Sequence, residues 1–179
     1  MKKRLFDFLR CPDCKKELEV NVFDASGDEI QIGILNCGEH FFPVVRGIPR
    51  MLPSSLSDHW PEIKAAAPDQ IPASLKRLFT RQNNLDSSRE YDTRTKANFS
   101  NEWDNHDVGG KTWGMELKDR VQWFFLDSIR IPKEELNGLV MLDAGCGNGS
   151  QSVAYTEFGL EVIAVDLSTG LEKGYEYRK

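Results

Sequence analysis

The stretch LDAGCGNGSQS, residues 142–152, decides how the second half of the chain is interpreted. Gly145, Gly147 and Gly149 stand at alternate positions, just after an apolar run that ends in Asp143. Glycine tolerates a positive φ and lets a ligand approach the backbone closely. A glycine-dense turn directly after a strand is typical of nucleotide-like ligands. The stretch therefore predicts a ligand-binding loop.

The residues around this loop predict a strand–loop–helix–strand unit. Residues 139–143 (LVMLD) predict a short buried strand, and residues 147–158 (GNGSQSVAYTEF) begin a helix that Gly159 ends. Residues 160–166 (LEVIAVD) predict the second strand. A unit this short implies parallel strands with a right-handed crossover.

Asp166 ends the second strand at the same edge of the sheet as the loop. A carboxylate there can accept both hydroxyl hydrogens of a ribose. Two ribose-bearing cofactors compete. A nicotinamide dinucleotide usually needs GxGxxG, which places its pyrophosphate on the helix N-terminus. Here the spacing is GxGxG, and Asp143 suits the positive charge of S-adenosylmethionine better than a phosphate.

Residues 140–150 (VMLDAGCGNGS) and 162–168 (VIAVDLS) resemble motif I and the following acidic strand end of class I S-adenosylmethionine-dependent methyltransferases. Residues 97–103 (ANFSNEW) and 111–114 (KTWG) are similar to the segment before motif I in bacterial members with a Trm112-like front domain. The resemblance implies an α/β fold with a Rossmann-like sheet, and an enzyme that uses S-adenosylmethionine.

The resemblance also implies roles for individual residues. The three loop glycines would wrap the amino-acid portion and the ribose of the cofactor, and Asp143 would face its amino group. Asp166 would bind the ribose hydroxyls, and Leu167 would flank the adenine. The loop backbone includes Cys146, whose thiol has no chemical role. The full expected cofactor-binding set is Asp143, Ala144, Gly145, Cys146, Gly147, Asn148, Gly149, Asp166 and Leu167.

The family's sheet has seven strands, and this sequence holds two of them before ending in LEKGYEYRK. We therefore expect the N-terminal portion of a longer methyltransferase, inactive by itself. The acceptor site and any general base are expected beyond residue 179, so no catalytic residue is named.

Two pairs of candidate metal ligands lie near the N-terminus. Cys11 and Cys14 form one pair, Cys37 and His40 the other, and two residues separate the members of each pair. Four soft ligands in two short-spaced pairs suit tetrahedral Zn²⁺. Alternating apolar residues over 17–37 predict a hairpin that brings the pairs together. All four positions are filled by protein, so we expect a structural site in a zinc-ribbon-like β module.

Two alternatives stay open for these residues. One is a redox CxxC beside an unrelated cysteine and histidine, although a thioredoxin-like motif opens a helix in a βαβ pattern and this one does not. The other is a three-cysteine site with His40 as a surface residue.

Residues 9–53 resemble the small zinc-binding domain of the Trm112-like family. The matching segments are LRCPDCKKELEV, LNC and FPVVRGIPRML. The family often has cysteine at the position of His40. The expected organisation is a Trm112-like domain over residues 1–53, a linker with short helices over 54–98, and the first part of a methyltransferase domain over 99–179.

The middle of the chain is less regular. Residues 73–85 predict an amphipathic helix, and residues 86–98 are polar and predict a loop. Residues 114–129 have helical periodicity, and Trp103 and Trp113 are candidates for lining a ligand pocket. The expected buried side of that helix comprises Met115, Leu117, Val121, Phe124, Phe125 and Ile129.

Composition and charge narrow the class of protein. Hydrophobic residues make up 40% and charged residues 28% of the chain, which is typical of a globular protein. The net charge of −5 argues against a general nucleic-acid binder. No apolar run is long enough to span a bilayer and the N-terminus has no signal-peptide core, so we expect a cytoplasmic protein without a membrane span.

Three functions compete at this point. The first is a methyltransferase whose acceptor is unknown. Its front domain has equal numbers of basic and acidic residues, which favours a small-molecule acceptor. The second is a ribosomal RNA methyltransferase that recognises its substrate through the zinc site. The third is a Trm112-like activator without activity of its own, which leaves the glycine loop unexplained.

Overall fold

The computed structural model describes residues 1–52, 54–67, 69, 71, 75 and 89–178, with only the backbone described for 89–93. It is a mixed α/β protein in two compact units, Met1–Glu90 and Tyr91–Lys179. In the described part of the chain, no helix has the length and apolar character needed to cross a bilayer.

The first unit is built on a four-stranded antiparallel sheet in the order β1-β2-β3-β4. The hairpin predicted from the alternating pattern is confirmed, since β1 and β2 pair antiparallel around a turn at Gly27, where φ is +60°. The strands are β1 (Glu19–Ser26), β2 (Glu29–Asn36), β3 (Phe41–Val45) and β4 (Ile48–Pro49).

The strands β2 and β3 of this sheet are covered on both faces, whereas β1 is largely exposed. Leu35 and Val44 pack with Met1, Cys11 and the residues around a 3₁₀ turn at Lys3–Asp7. Their neighbours along the strands, Ile34 and Val45, pack with two short helices on the other face, α1 (Ser55–Asp58) and α2 (Trp60–Ala66), through Leu56 and Ile63. Side chains alternate across a strand, so adjacent apolar residues supply both faces.

The second unit contains two parallel strands, β5 (Val140–Ala144) and β6 (Glu161–Val165). Between them lie α6 (Ser150–Tyr155) and a 3₁₀ turn at Thr156–Phe158, which ends at Gly159 with φ of +77°. The predicted strand–helix–strand order is thus present. The other helices are α3 (Arg89–Asp104), α4 (Leu117–Val121), α5 (Asp127–Ile129) and α7 (Leu171–Tyr177), with a 3₁₀ turn at Lys133–Glu135.

The structure corrects three local predictions. Residues 86–98 were expected to form a loop, but Arg89 begins a helix that continues to Asp104. This helix lacks an apolar stripe that periodicity would reveal; single residues near its end, Ser100 and Trp103, fix it to later turns. The amphipathic helix expected over residues 73–85 lies outside the described residues except Leu75, which is buried.

The second correction concerns Phe124, which was expected on the buried side of its helix. A π-helical turn at Gln122–Leu126 separates α4 from α5. Such a turn adds a residue to the usual repeat and rotates the side chains that follow. Within this turn Phe125 is buried, as is Val121 before it, while Phe124 is 52% exposed.

The third correction concerns β5, which was expected to be buried. Met141 and Val162 point into a core formed by α4, the π turn and α6. Val140 and Leu142 lie on the opposite face and are exposed in the described structure. An all-apolar run does not reveal which faces of a strand are covered.

Candidate functional site

The two ligand pairs at the N-terminus meet in space. Cys11, Cys14, Cys37 and His40 each offer one ligand atom, and these four atoms lie within 4.8 Å of one another. The Sγ atoms of Cys14 and Cys37 are 3.6 Å apart, and Nδ1 of His40 is 3.5 Å from Sγ of both Cys11 and Cys37. Tetrahedral zinc with bonds of about 2.0–2.3 Å requires ligand separations of about 3.5–3.8 Å. The cluster is therefore positioned to bind a metal ion, and its chemistry is consistent with zinc.

Tight turns aim each pair at this point. In the first turn the amide of Lys15 donates to the carbonyl of Cys11 over 2.9 Å, and the amide of Cys11 donates to the carbonyl of Lys16 over 3.0 Å. Lys15 has φ of +63°, and Gly38 in the second turn has φ of +88°. Lys16 and Glu39 join the two turns by an exposed ion pair of 2.7 Å.

The surroundings of the cluster favour a thiolate at Cys37. Burial by itself raises the pKa of this thiol, but hydrogen bonds from the backbone amides of Glu39 and His40 and from the His40 ring prevail, and the pKa falls to about 6. At Cys14 a backbone hydrogen bond at Lys16 lowers the pKa. Burial and the neighbouring thiols of Cys11 and Cys37 outweigh this, and the pKa is raised. One thiol thus ionises readily, as a metal ligand must.

His40 is oriented as a ligand rather than as a surface residue. Its Nδ1 faces the sulfur atoms, and its Nε2 lies 3.8 Å from a carboxylate oxygen of Asp13. A carboxylate on the far side of a metal-binding imidazole is a frequent outer partner, because it favours the tautomer that leaves the other nitrogen free for the metal.

The glycine loop follows β5 at the carboxyl end of the parallel pair. The amides of Gly145 and Cys146 both donate to the carbonyl of Val165, over 2.7 and 3.1 Å. Gly145, Gly147 and Gly149 all have positive φ, of +83°, +60° and +76°. This left-handed geometry explains why the loop needs glycine.

The three glycines face different surroundings. A Cβ on Gly145 would meet nothing within 4 Å, and the residue is exposed, as is Ala144 before it. A Cβ on Gly147 would lie 2.4 Å from the indole of Trp103, and one on Gly149 would lie 3.1 Å from Cα of Gly174. Gly147 and Gly149 therefore allow close packing within the protein, whereas Gly145 borders open space.

The two acidic strand ends brace this loop. Asp166 accepts from the amide of Gly147 through one carboxylate oxygen and from the amide of Ser168 through the other, each over 2.7 Å. Asp143 accepts from the hydroxyl of Ser152 over 2.6 Å. Each carboxylate oxygen can accept more than one hydrogen bond, so acceptor capacity remains for a ligand. Leu167, next to Asp166, is half-buried.

The loop also has a negative field. The pKa of the Cys146 thiol is raised to about 12, first by burial and then by the nearby charges of Asp143 and Asp166. The thiol therefore stays protonated at neutral pH. A field of this sign suits a cationic ligand group and opposes a phosphate.

A second segment, residues 105–116, is fastened to the loop. The buried side chain of Asn148 donates to the carbonyl oxygens of His106 and Asp107, and its oxygen accepts from the hydroxyl of Ser150. That hydroxyl in turn accepts from the amide of Gly109 over 3.1 Å. Asn148, which was expected to contact a cofactor, thus connects the glycine loop to residues 105–116.

Sequence reasoning missed one residue that contacts this segment from α4. Arg120 is 1% exposed and donates to the carbonyl of Gly110 over 2.8 Å, while its Nε has no hydrogen-bond partner within the described residues. Its helix carried no signal of a buried charge, because the carbonyl that it meets belongs to a loop. Burial lowers the pKa of this guanidinium.

Comparison with known proteins adds no relative: neither the protein-family models nor the curated proteins contain a match to this chain.

Proposed function

We propose that this chain carries the cofactor-binding part of an S-adenosylmethionine-dependent methyltransferase with a Rossmann-like sheet, preceded by a Trm112-like zinc module. The observation that supports this most strongly is the edge where β5 and β6 end. There a glycine loop lies between two carboxylates, Asp143 and Asp166, at the ends of adjacent parallel strands. Ligands of open α/β sheets bind at this kind of edge.

The residues present fit a cationic, ribose-bearing cofactor better than a dinucleotide. Gly145 leaves open space over the first turn of the loop. The side chains of Asp143 and Asp166 make the field there negative, and their charges add to the effect of burial in raising the pKa of the Cys146 thiol. Lys173, a nearby cation, is already bonded to the carbonyl oxygens of Trp103 and Asp104. A pyrophosphate would meet repulsion here, whereas an ammonium or sulfonium group would be attracted.

The proposal assigns roles to individual residues. Asp166 would orient the ribose with the acceptor capacity that its two backbone hydrogen bonds leave free. Asp143, held by Ser152, would attract the amino group. When bound, S-adenosylmethionine would supply its sulfonium methyl group, which a nucleophilic acceptor would take in line as S-adenosylhomocysteine leaves. Catalysis of such a step rests mainly on positioning.

The zinc module is structural in this proposal. Cysteine and histidine atoms fill all four positions of a tetrahedral site, so no position is left to activate water. The module has equal numbers of basic and acidic residues, which favours a small-molecule acceptor over an RNA.

Titration calorimetry of the zinc-loaded chain tests the proposal. We expect binding of S-adenosylmethionine and S-adenosylhomocysteine and no binding of NAD⁺. Asp166→Asn removes the charge but keeps an oxygen, and hydrogen bonds to a charged group are worth about 1.5–3 kcal/mol. Affinity for both compounds should therefore fall about tenfold or more.

Glu176→Gln is the matched control, because it removes one exposed carboxylate from the same unit and should leave both affinities unchanged. Because Asp166 also braces Gly147, the melting temperature of Asp166→Asn should fall as well. Binding of NAD⁺ alone, or of none of the three compounds, would refute the proposal.

A further inference from the structure

Trp103 occupies a singular place beside the glycine loop. It lies in the last turn of α3, yet its indole fills the space where Gly147 has no side chain, with three ring atoms 2.4–2.8 Å from the position of a Cβ there. Its own Cβ lies 2.7 Å from where a Cβ of Gly170 would be. The indole is thus set between the turns that follow β5 and β6, and the residue is half-buried.

Other aromatic rings hold this indole. Trp113 meets Trp103 edge-on at a centroid distance of 6.2 Å and meets Phe124 in the same way at 6.2 Å. His106 lies on another side, with a centroid distance of 5.8 Å. Edge-to-face contacts at this spacing are favourable and directional. Trp103 is therefore fixed by partners that do not fill the core.

Trp113, which contacts Trp103, has a left-handed backbone conformation that is unfavourable for a bulky residue. Reciprocal hydrogen bonds between Thr112 and Met115 close a two-residue turn in which Trp113 has φ of +54° and Gly114 φ of +76°. Turns with two positive φ values favour Asn-Gly, and a bulky residue there is an outlier. Such outliers concentrate at ligand sites. The side chain is 61% exposed, so burial does not explain its presence.

We infer that Trp103 contacts the sulfonium end of the cofactor and lets the site distinguish the charged S-adenosylmethionine from the neutral S-adenosylhomocysteine, with Trp113 as its positioning residue. This inference rests on the proposed function. The face of an indole attracts a cation within about 6 Å of the ring, more strongly than other aromatic rings do. Asp143 and Asp166 make the same edge negative, so both features select positive charge.

The test compares the affinities of the two compounds by calorimetry. The ratio of the dissociation constant of S-adenosylhomocysteine to that of S-adenosylmethionine is measured for wild type, Trp103→Phe, Trp103→Leu and Trp113→Leu. A cation–π contact corresponds to about two- to thirtyfold in affinity. We expect the ratio to fall by that factor in Trp103→Leu and by less in Trp103→Phe. In Trp113→Leu the ratio should fall by less than in Trp103→Leu, because the indole of Trp103 is still present but loses its contact with Trp113.

The matched control is Trp123→Leu, which removes a 65% exposed tryptophan of the same unit and should leave the ratio unchanged. A purely structural role for Trp103 would weaken both compounds equally and keep the ratio constant, and that result would overturn the inference while the proposed function stands. If Trp103→Leu does not fold, the change of the ratio in Trp103→Phe and Trp113→Leu tests the inference: a fall supports it and an unchanged ratio contradicts it. If wild type binds neither compound, the proposed function and this inference fail together.

Discussion

Gly145 and Gly147 share a left-handed backbone but differ in what surrounds them. At both positions an alanine would meet the same kind of backbone penalty, about 1–2 kcal/mol. Only at Gly147 would the new methyl group collide with an aromatic ring, that of Trp103. At the residue scale, a comparison of substitutions at these two glycines therefore distinguishes the cost of backbone strain from the cost of a steric clash.

We predict that Gly147→Ala destabilises the second unit more than Gly145→Ala does, by about a further 1–3 kcal/mol, which is the usual effect of an overpacked contact. Chemical denaturation followed by far-UV circular dichroism gives the two free energies of unfolding. The double variant Gly147→Ala with Trp103→Leu should recover most of the difference. Equal free energies for the two single variants would contradict the proposed packing of Trp103 on Gly147.

At the scale of elements, the two turns that carry the Cys/His cluster are connected in two ways, by the candidate metal ligands and by an ion pair. Cys11 is a fully buried ligand, whereas Lys16 and Glu39 form an exposed ion pair between the same turns. Hydrogen bonding and attraction between these two raise the pKa of Lys16 and lower that of Glu39. Exposed pairs contribute little to stability, because solvent screens them and their side chains lose freedom. The metal, and not the ion pair, should hold the turns together.

We expect Cys11→Ser to abolish zinc binding and to lower the melting temperature strongly. His40→Cys should retain one zinc ion, because a fourth thiolate completes the same tetrahedron. Glu39→Gln is the control and should retain both zinc and melting temperature. Metal content by elemental analysis, with a thermal melt of each variant, provides the measurement. Stoichiometric zinc in Cys11→Ser would exclude the four-ligand site.

At the scale of the whole molecule, the Cys/His cluster belongs to one unit only. Its four ligands and the sheet that carries them lie within Met1–Glu90, and the glycine loop lies within Tyr91–Lys179. A β module of this size has a small core, so a bound metal would supply much of its folding free energy. Loss of the metal should therefore act first on the unit that contains it.

Hydrogen exchange detected by mass spectrometry tests this expectation. A chelator should increase exchange in β1 to β3 at least tenfold and leave β5 and β6 near their zinc-loaded rates. Re-addition of Zn²⁺ should restore protection, which controls for aggregation. A loss of protection spread evenly over both units would show that the metal stabilises the whole chain instead.

The sequence by itself was sufficient for features that depend on local spacing. The two Cys/His pairs, the hairpin between them and the strand–loop–helix–strand order around the glycine loop all follow from patterns within a few dozen residues. Turns of fixed length bring such residues together whatever surrounds them. The identity of the cofactor and the roles of the expected cofactor-binding residues remain predictions.

Only the tertiary structure decided how these parts are used. It placed Trp103 on Gly147, fastened residues 105–116 to Asn148 and Ser150, and buried Arg120. It also turned Phe124 outward through a π turn. Each of these depends on contacts between residues far apart in the chain or on a change of helical repeat, and neither leaves a periodic signal. The types of the side chains indicate burial and secondary-structure propensity. Which residue packs against a given glycine or tryptophan depends instead on the tertiary fold.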